Sequence, residues 1–153
     1  MSKSPATVFA SILHSSEVTT DGSVAATSDR WAMKVGIMQD KPDRQVTLLD
    51  TGGYSNPRWL LDYPTVQVIV RSGPEGYEEG YSKARQVKDV LLGIQPQVFD
   101  TDNTLVGIMM QSDISFMHYD DSSRALFSIN FRSIVQPAAS DETNRADLGD
   151  ITA

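Results

Sequence analysis

The stretch PTVQVIVRS at residues 64–72 decides the fold, together with the break and the helical pattern that follow it. Its three valines alternate with Gln67 and Ile69. Apolar residues on both faces are typical of a strand that is covered on both sides by the rest of the molecule. The pattern therefore predicts an interior strand over Thr65–Arg71.

A helix is predicted directly after this strand. The residues SGPEG at 72–76 interrupt the strand, and apolar residues then recur three and four positions apart, which forms one helical stripe. Acidic residues come early and mostly basic residues later, as the helix dipole favours. Gly93 is a natural C-terminal stop, so the helix would span about 16 residues. The stripe consists of Tyr77, Tyr81, Ala84, Val87 and Leu91.

The remaining elements are predicted from shorter patterns. Pro5–His14 has a helical apolar face, with Ser4 in position to cap it. Alternating or extended apolar residues predict further strands, and clusters of turn-forming residues predict the breaks between them. The predicted strands are Trp31–Ile37, Val46–Leu49, Leu105–Gln111 and Ala125–Ile134, with turns at 41–44, 50–57, 99–103 and 120–123.

The composition excludes several kinds of chemistry. The chain of 153 residues has no cysteine, which excludes disulfides, thiolate nucleophiles, iron–sulfur clusters and cysteine-based zinc sites. Its only histidines are His14 and His118, so a histidine zinc site is not expected. The N-terminus does not resemble a secretory signal, and no stretch approaches the ~20 apolar residues of a membrane span. We therefore expect a soluble protein made inside the cell.

The net charge of −7 disfavours tight binding to a phosphate backbone. Residues 137–153 hold four acidic residues against Arg145, so the rest of the chain carries −4. We expect one domain over residues 1–136, followed by a flexible acidic tail or an arm that orders on a partner. We see no internal repeat.

Two glycine- or aspartate-rich segments could suggest a ligand loop. Gly52-Gly53 lacks the lysine and hydroxyl residue of a phosphate loop. DTDNT at 100–104 starts like a calcium loop, but Leu105 and Gln111 stand where the glycine and glutamate should be. Both segments are better interpreted as turns.

Candidate catalytic residues are sparse. His118 lies close to Asp120 and Asp121, which leaves a small hydrolase as one hypothesis, although no nucleophile stands at a motif spacing. The neighbouring acids Glu78 and Glu79 would not face one another on a helix. Tyr77 and Tyr81 could stack on bases, but a packing role is the simpler interpretation in an acidic chain. No catalytic, metal or cofactor-binding residue is assigned.

Arg71 has two interpretations that the residues alone do not separate. It ends the strongest predicted strand and precedes a Gly/Pro turn. It could form an intersubunit ion pair or one that anchors a loop, or it could be an ordinary surface arginine at a strand end.

The ordered motifs resemble those of small bacteriophage tail terminator proteins, also called tail completion or minor capsid proteins. The resemblance covers about residues 30–135. It begins at LLDTGG (Leu48–Gly53) with Pro57 and continues through the 64–72 strand, Gly76-Tyr77 and Leu91-Leu92-Gly93. It ends with Gly107-Ile108, Asp121, Arg124 and Phe127–Phe131.

The resemblance implies an α/β (α+β) fold with a mixed, mainly antiparallel sheet and two helices on one face. It implies a virion protein without catalysis, assembled in the host cytoplasm. Such a protein forms a ring, usually a hexamer, that ends the tail tube and meets neck or connector proteins. DNA would pass through the channel without specific binding, and no membrane is involved. Arg71, Asp121 and Arg124 are the candidate residues for a subunit or tube interface.

Two alternatives stay open at this point. The chain could be another neck or tail component, such as a head-closure or tube protein. The small hydrolase near His118 is the third hypothesis.

Overall fold

A computed structural model describes residues 4–19, 30–56, 61–98 and 103–137 of the chain. These residues form two helices, and the described strands make a six-stranded sheet. Helix α1 spans Pro5–Ser15 and helix α2 spans Tyr77–Leu92. The strands are β1 (Ala32–Val35), β2 (Gln45–Asn56), β3 (Leu61–Pro74), β4 (Gln97–Val98), β5 (Asn103–Tyr119) and β6 (Arg124–Pro137).

The sheet has the order β1-β2-β3-β6-β5-β4. Strands β1 and β2 are parallel, and all the other neighbours are antiparallel. The valine-rich strand β3 lies inside the sheet, between β2 and β6. The predicted mixed, mainly antiparallel sheet and the predicted interior strand are therefore confirmed.

Both helices begin where the residues predict, and α1 ends at Ser15, one residue after the predicted His14. The Oγ of Ser4 accepts a hydrogen bond from the backbone N–H of Thr7 at 3.2 Å, which satisfies one of the free donors at the start of α1. Gly93 caps α2, and its N–H donates to the carbonyl of Asp89 at 3.2 Å.

The two helices pack on the same face of the sheet. Strand β6 alternates, so that Phe127 and Phe131 lie on one face, and both are fully buried. Phe131 contacts Phe9 of α1 edge to face, with ring centroids 6.0 Å apart, and Phe127 contacts Tyr81 of α2 at the same separation. The prediction of two helices on one face is confirmed, and the core lies between them and the sheet.

Gly80 brings α2 close to the sheet. A Cβ on this residue would lie 2.8 Å from the ring of Phe127 and 3.1 Å from the Cβ of Ser72. Glycine lowers helix propensity by ~1 kcal/mol relative to alanine. Here that cost permits the close contact between α2 and β6.

The predicted turn over 50–57 is wrong, because β2 runs on to Asn56. Gly52 and Gly53 take positive φ angles of 93° and 109° and form a bulge, where the register with β3 shifts. A Cβ on Gly53 would overlap the carbonyl oxygen of Tyr63. These glycines therefore bend a long strand rather than end a short one, and Pro57 lies outside the described residues.

Strand β5 is also longer than predicted. It continues past Gln111 to Tyr119, with several register shifts against β6. Its bulges break the period-two alternation that would have marked the strand in the sequence. Strand β1 is shorter than predicted, since Gly36 turns the backbone at a φ of 85°. Strand β4 was not predicted.

Some predictions lie outside the described residues. These are the end of the turn-rich segment at Pro57, most of the turn over 99–103, and the acidic segment from Ala138 onward. The last described residue, Pro137, belongs to β6. No helix within the described ranges has the length and apolar character needed to cross a bilayer.

Candidate functional site

The segment Gly36–Arg44 connects two parallel neighbouring strands, and it is held by two buried arginines. A connection between parallel neighbours has to return from the end of one strand to the beginning of the next. The odd-numbered residues of β3 and the even-numbered residues of β6 face away from the helices, so Arg71 and Arg124 reach this connection on the helix-free side. We call the group formed by Asp40, Asp43, Arg71, Asp120 and Arg124 the loop latch.

Arg71 binds the connection through backbone carbonyls. Its Nε donates to the carbonyl of Asp43 at 2.9 Å. Its Nη2 lies at 2.6 to 3.1 Å from the carbonyls of Gln39, Asp40 and Pro42. Burial lowers the pKa of Arg71, and the neighbouring charge of Arg124 lowers it further. The guanidinium still stays charged at neutral pH, because arginine loses its proton only at strongly alkaline pH.

Arg124 is the centre of the latch ion pairs. Its Nε donates to the Oδ2 of Asp120 at 2.7 Å, and its Nη1 donates to the Oδ1 of Asp43 at 3.0 Å. The same Nη1 donates to the backbone carbonyl of Asp40 at 2.6 Å, and Nη2 meets the Oδ1 of Asp40 at 3.1 Å. Burial alone would lower the pKa of Arg124, but the hydrogen bonds to Asp120 and Asp40 outweigh it and raise the pKa.

The carboxylate of Asp120 accepts hydrogen bonds both from the backbone of the β5–β6 turn and from the side chain of Arg124. Its Oδ1 accepts from the backbone N–H groups of Ser122 and Arg124, each at 2.9 Å. Burial raises the pKa of this carboxyl, but the hydrogen bonds from the backbone and side chain of Arg124 outweigh burial and lower it below its ordinary value. Lys41 lowers the pKa of Asp43 through a direct hydrogen bond, and Arg124 adds to this effect.

The structure brings together two of the three predicted interface residues. Arg71 and Arg124 are 3% and 5% exposed, and both are engaged within the chain. Asp121 is exposed in the turn beside them. The sequence does not indicate Asp40 and Asp43 as partners, and it predicts Asp120 as a turn residue and a possible acid of a hydrolase, not as a partner of Arg124. The available signal is the group of charged residues in KPDR at 41–44, a pattern that by itself predicts only a turn.

The geometry does not assemble the hydrolase candidate. His118 is exposed near the end of β5, and both oxygens of Asp120 accept hydrogen bonds from the turn and from Arg124. Within the described ranges, no group of three or more histidine or acidic side chains is arranged to hold a metal ion.

A cluster of aromatic rings lies at the end of the sheet where α2 begins. The ring of Tyr77 lies 5.0 Å from Phe127 and 5.2 Å from Phe116, and Phe116 lies 5.2 Å from Tyr119. Tyr77 and Tyr81 both pack on Phe127, as the helical stripe predicted. More than a third of each tyrosine remains exposed, together with Phe116, Met117 and Tyr119. We call these five exposed side chains the aromatic patch.

A family model described as "Bacteriophage tail terminator protein" matches residues 12–137, which is most of the chain. Comparison with curated protein sequences gives no match. One solved structure similar to this chain is described as "Virion of native gene transfer agent (GTA) particle". It is 16% identical, with a TM-score of 0.48, and the alignment covers 66% of this chain and 76% of that one.

Proposed function

The chain belongs to the bacteriophage tail terminator family, and we propose that it forms a ring, as a homohexamer, that ends the tail tube and joins it to the head-neck assembly. Membership of this family is the observation that carries the proposal. The family is one of structural phage tail proteins, which supports a structural role without catalysis for this chain.

The aromatic patch supports self-association. Monomeric proteins rarely leave contiguous large apolar side chains exposed without a partner. Aromatic residues and methionine are enriched in protein–protein interfaces, and the patch supplies four aromatic rings and Met117. A ring needs two different surfaces on each subunit, because each copy meets its neighbours head to tail. The patch is our candidate for one of these surfaces.

We keep Arg71, Asp121 and Arg124 as proposed interface residues, with different roles. Asp121 is exposed and could meet a neighbouring subunit or the tube directly. Arg71 and Arg124 are buried, so they would act by holding the Gly36–Arg44 connection and the 120–123 turn in one shape. The surface offered to the partner is then the one that the loop latch fixes.

The charge of the chain suits a channel for DNA. A net charge of −7 gives no general attraction to phosphates, so DNA would slide through the ring without specific binding. The ring would assemble in the host cytoplasm and act in the virion tail, where its partners are the tube protein and the neck or connector proteins.

Native mass spectrometry and negative-stain microscopy of the full chain, with and without tail tubes, test this proposal. We expect a mass of six subunits, at least on the tubes, and ring-shaped density at one tube end. Phe116→Ser and Met117→Ser should each weaken the assembly, whereas Ser115→Ala, an exposed neighbour on the same strand, should not. A chain that stays monomeric and never binds tubes would overturn the proposal.

A further inference from the structure

A groove runs between α1 and the edge strand β1. It has a volume of about 560 Å³, within the roughly 300–1,000 Å³ of clefts that hold drug-sized molecules. Small residues of α1, among them Ala10 and Ser11, leave room beside Met33 and Val35 of the strand. Val35 is 39% exposed, and Ile37, just after β1, is 60% exposed. Apolar side chains that stay exposed beside a cleft are typical of a surface that binds another protein.

The groove and the aromatic patch lie at opposite edges of the sheet, on its helix side. Helix α1 packs against β1, β2 and β3, whereas α2 packs against β3, β6 and β5. The patch residue Phe116 contacts Tyr77 of α2, so it lies on the helix side as well. The described residues of β4 pair only with Thr104 and Leu105, which leaves the Phe116 end of β5 as an edge of the described sheet. A second copy placed beside the first, in the same orientation, therefore brings its patch to the groove.

The groove and the patch also lie at the same level along the strands. One row of paired residues crosses the sheet from the groove to the patch. In order, this row consists of Met33, Val46, Val70, Phe127 and Phe116. Strands β1 and β5 are four strand spacings apart, or about 19 Å. A copy added at the edge without a shift along the strands thus sets its Phe116 beside Met33 of the first copy.

The two edges carry opposite charges. Residues 30–37, at the β1 edge, include Arg30 and Lys34 and no acidic residue. Residues 107–121, on the β5 side, include Asp113, Asp120 and Asp121 and neither lysine nor arginine. Opposite charges attract across an interface, whereas two acidic edges that met each other would repel. The charges therefore favour a contact of groove with patch over a contact of patch with patch.

We propose that the groove of one subunit receives the aromatic patch of the next subunit, so that groove and patch are the two different surfaces of the ring contact. Phe116 then packs against Met33 of the neighbour. Asp113, whose side chain stays 65% exposed although it binds Lys88, meets Lys34 of the neighbour. Aromatic side chains enclosed in a cleft are the residues that contribute most to a typical interface. The inference rests on the proposed head-to-tail ring and names the surfaces that form it.

Cross-linking between two variants tests the contact, since the chain has no native cysteine. Ser11→Cys places a thiol in the groove and Ser115→Cys places one beside Phe116, and both serines are exposed. One variant is labelled with ¹⁵N, the two are mixed and assembled with and without tail tubes, and a short bis-maleimide reagent is added. We expect a link that joins one labelled chain to one unlabelled chain.

Two controls identify the surfaces in contact. In the first, Ser82→Cys replaces Ser115→Cys and should give far less link, because Ser82 is exposed where α2 lines a separate cavity with Trp31. In the second, each variant is treated alone. Neither should link to itself, because the same residue of two copies does not meet in a head-to-tail contact. Equal yields for Ser82 and Ser115, or links within the Ser115→Cys chain alone, would overturn the proposal.

Charge exchange tests the pairing of Asp113 with Lys34. Lys34→Glu in both chains should reduce the yield of the Ser11–Ser115 link about two- to fivefold, which is the range of one surface ion pair. Asp113→Lys should reduce it by a similar factor, and the two changes together should restore the yield. Asp89→Lys, which makes the same charge change on the exposed side of α2, should leave the yield as it is. A double variant that does not recover would show that Asp113 and Lys34 do not meet.

Native mass spectrometry of the same samples separates this inference from the proposed ring. Six-subunit assemblies that give no Ser11–Ser115 link would overturn the inference and leave the ring in place. The link in dimers or open chains, without closed rings, would support the inference and contradict the homohexamer. Subunits that stay monomeric and unlinked, with and without tubes, would overturn both.

Discussion

At the scale of single residues, Gly80 lets α2 lie close to the sheet because it has no side chain. Gly80→Ala adds a methyl group at 2.8 Å from the Phe127 ring, which is held by the aromatic rings around it. We expect the free energy of unfolding to fall by about 1 to 2 kcal/mol, because the overlap outweighs the better helix propensity of alanine.

Urea denaturation of the two chains checks this. Gly107→Ala is the control, since a Cβ at Gly107 meets nothing within 4 Å. Equal or higher stability of Gly80→Ala would show that the ring moves aside freely, which would contradict the close packing of α2 on β6.

Replacement of Arg124 should also lower the free energy of unfolding. Arg124→Met keeps most of the buried stem, but it leaves the Oδ2 of Asp120 without its donor and removes one of the two donors to the carbonyl of Asp40. We expect a loss of roughly 2 to 3 kcal/mol of unfolding free energy, the range for a hydrogen-bonded charge that loses its buried partner.

The control for Arg124 is Arg44→Met, which removes a more exposed ion pair with Glu79. Such surface pairs contribute about 0 to 1 kcal/mol. If the two variants lose the same stability, then the loop latch contributes no more than a surface contact.

The sequence indicates that Arg71 is a candidate for an ion pair, but it does not indicate which groups the guanidinium binds. Arg71 binds carbonyl groups of residues 39–43, and every residue type carries a carbonyl. A guanidinium that binds backbone therefore leaves no pattern in the side chains that surround it. The contact is seen only in the folded structure, where Arg71 meets carbonyl groups that lie 28 or more residues away in the sequence.

At the scale of elements, the loop latch should make the connection between β1 and β2 sensitive to acid. The carboxyl groups of Asp43 and Asp120 have pKa values below their ordinary 3.8. A carboxyl with a lowered pKa in the folded state contributes stability above its unfolded pKa, and this contribution is lost as the pH falls through the folded pKa. Stability from the latch should thus be level near neutral pH and should decline below about pH 4.

Unfolding midpoints measured from pH 7 to pH 2 check this expectation. Asp120→Asn should be less stable than the natural chain at pH 7, and the difference should shrink as the pH falls below about 4. Asp121→Asn, at the exposed neighbouring position, should follow the natural chain throughout. A difference that stays constant across this range would contradict the assignment of Asp120 to the latch.

The elements that the sequence predicted well are those with one clear period. The valines of β3 and the apolar stripe of α2 each follow a single geometry over many residues, and both predictions are confirmed. The predictions for strands β2 and β5 end too early, because glycines and bulges interrupt the alternation of apolar and polar residues in both strands. In β2, the same Gly52-Gly53 pair that predicts a turn in the sequence serves as a bulge, since pairing with β3 continues on both sides.

At the scale of the whole molecule, the acidic charge should prevent binding to duplex DNA. We expect no shift of a short DNA duplex in an electrophoretic mobility assay, at about 50 mM or 200 mM salt, because there is no excess of cations to release counterions. A variant with Asp141, Glu142, Asp147 and Asp150 changed to Lys should bind at low salt and release at high salt. A shift by the natural chain at both salt concentrations would contradict a channel without specific binding.

The family could be inferred from the sequence because it depends on the order of several short motifs over a long stretch. The family match over 12–137 confirms this inference. The aromatic patch could not be inferred in the same way, since its residues Phe116, Met117 and Tyr119 come from a stretch that was not predicted to be a strand.

The loop latch also has a consequence for the order of folding. Its members come from residues 40–43, 71 and 120–124, so it cannot close until β3 has paired with β6 and the β5–β6 turn has formed. Contacts between residues so distant in sequence form late in folding, after the chain has lost the conformational entropy needed to bring the strands of the sheet together. The surface around Asp121 would therefore mature last, and only a completely folded subunit would present it. In the proposed ring of identical copies, this order would exclude incompletely folded subunits from the assembly.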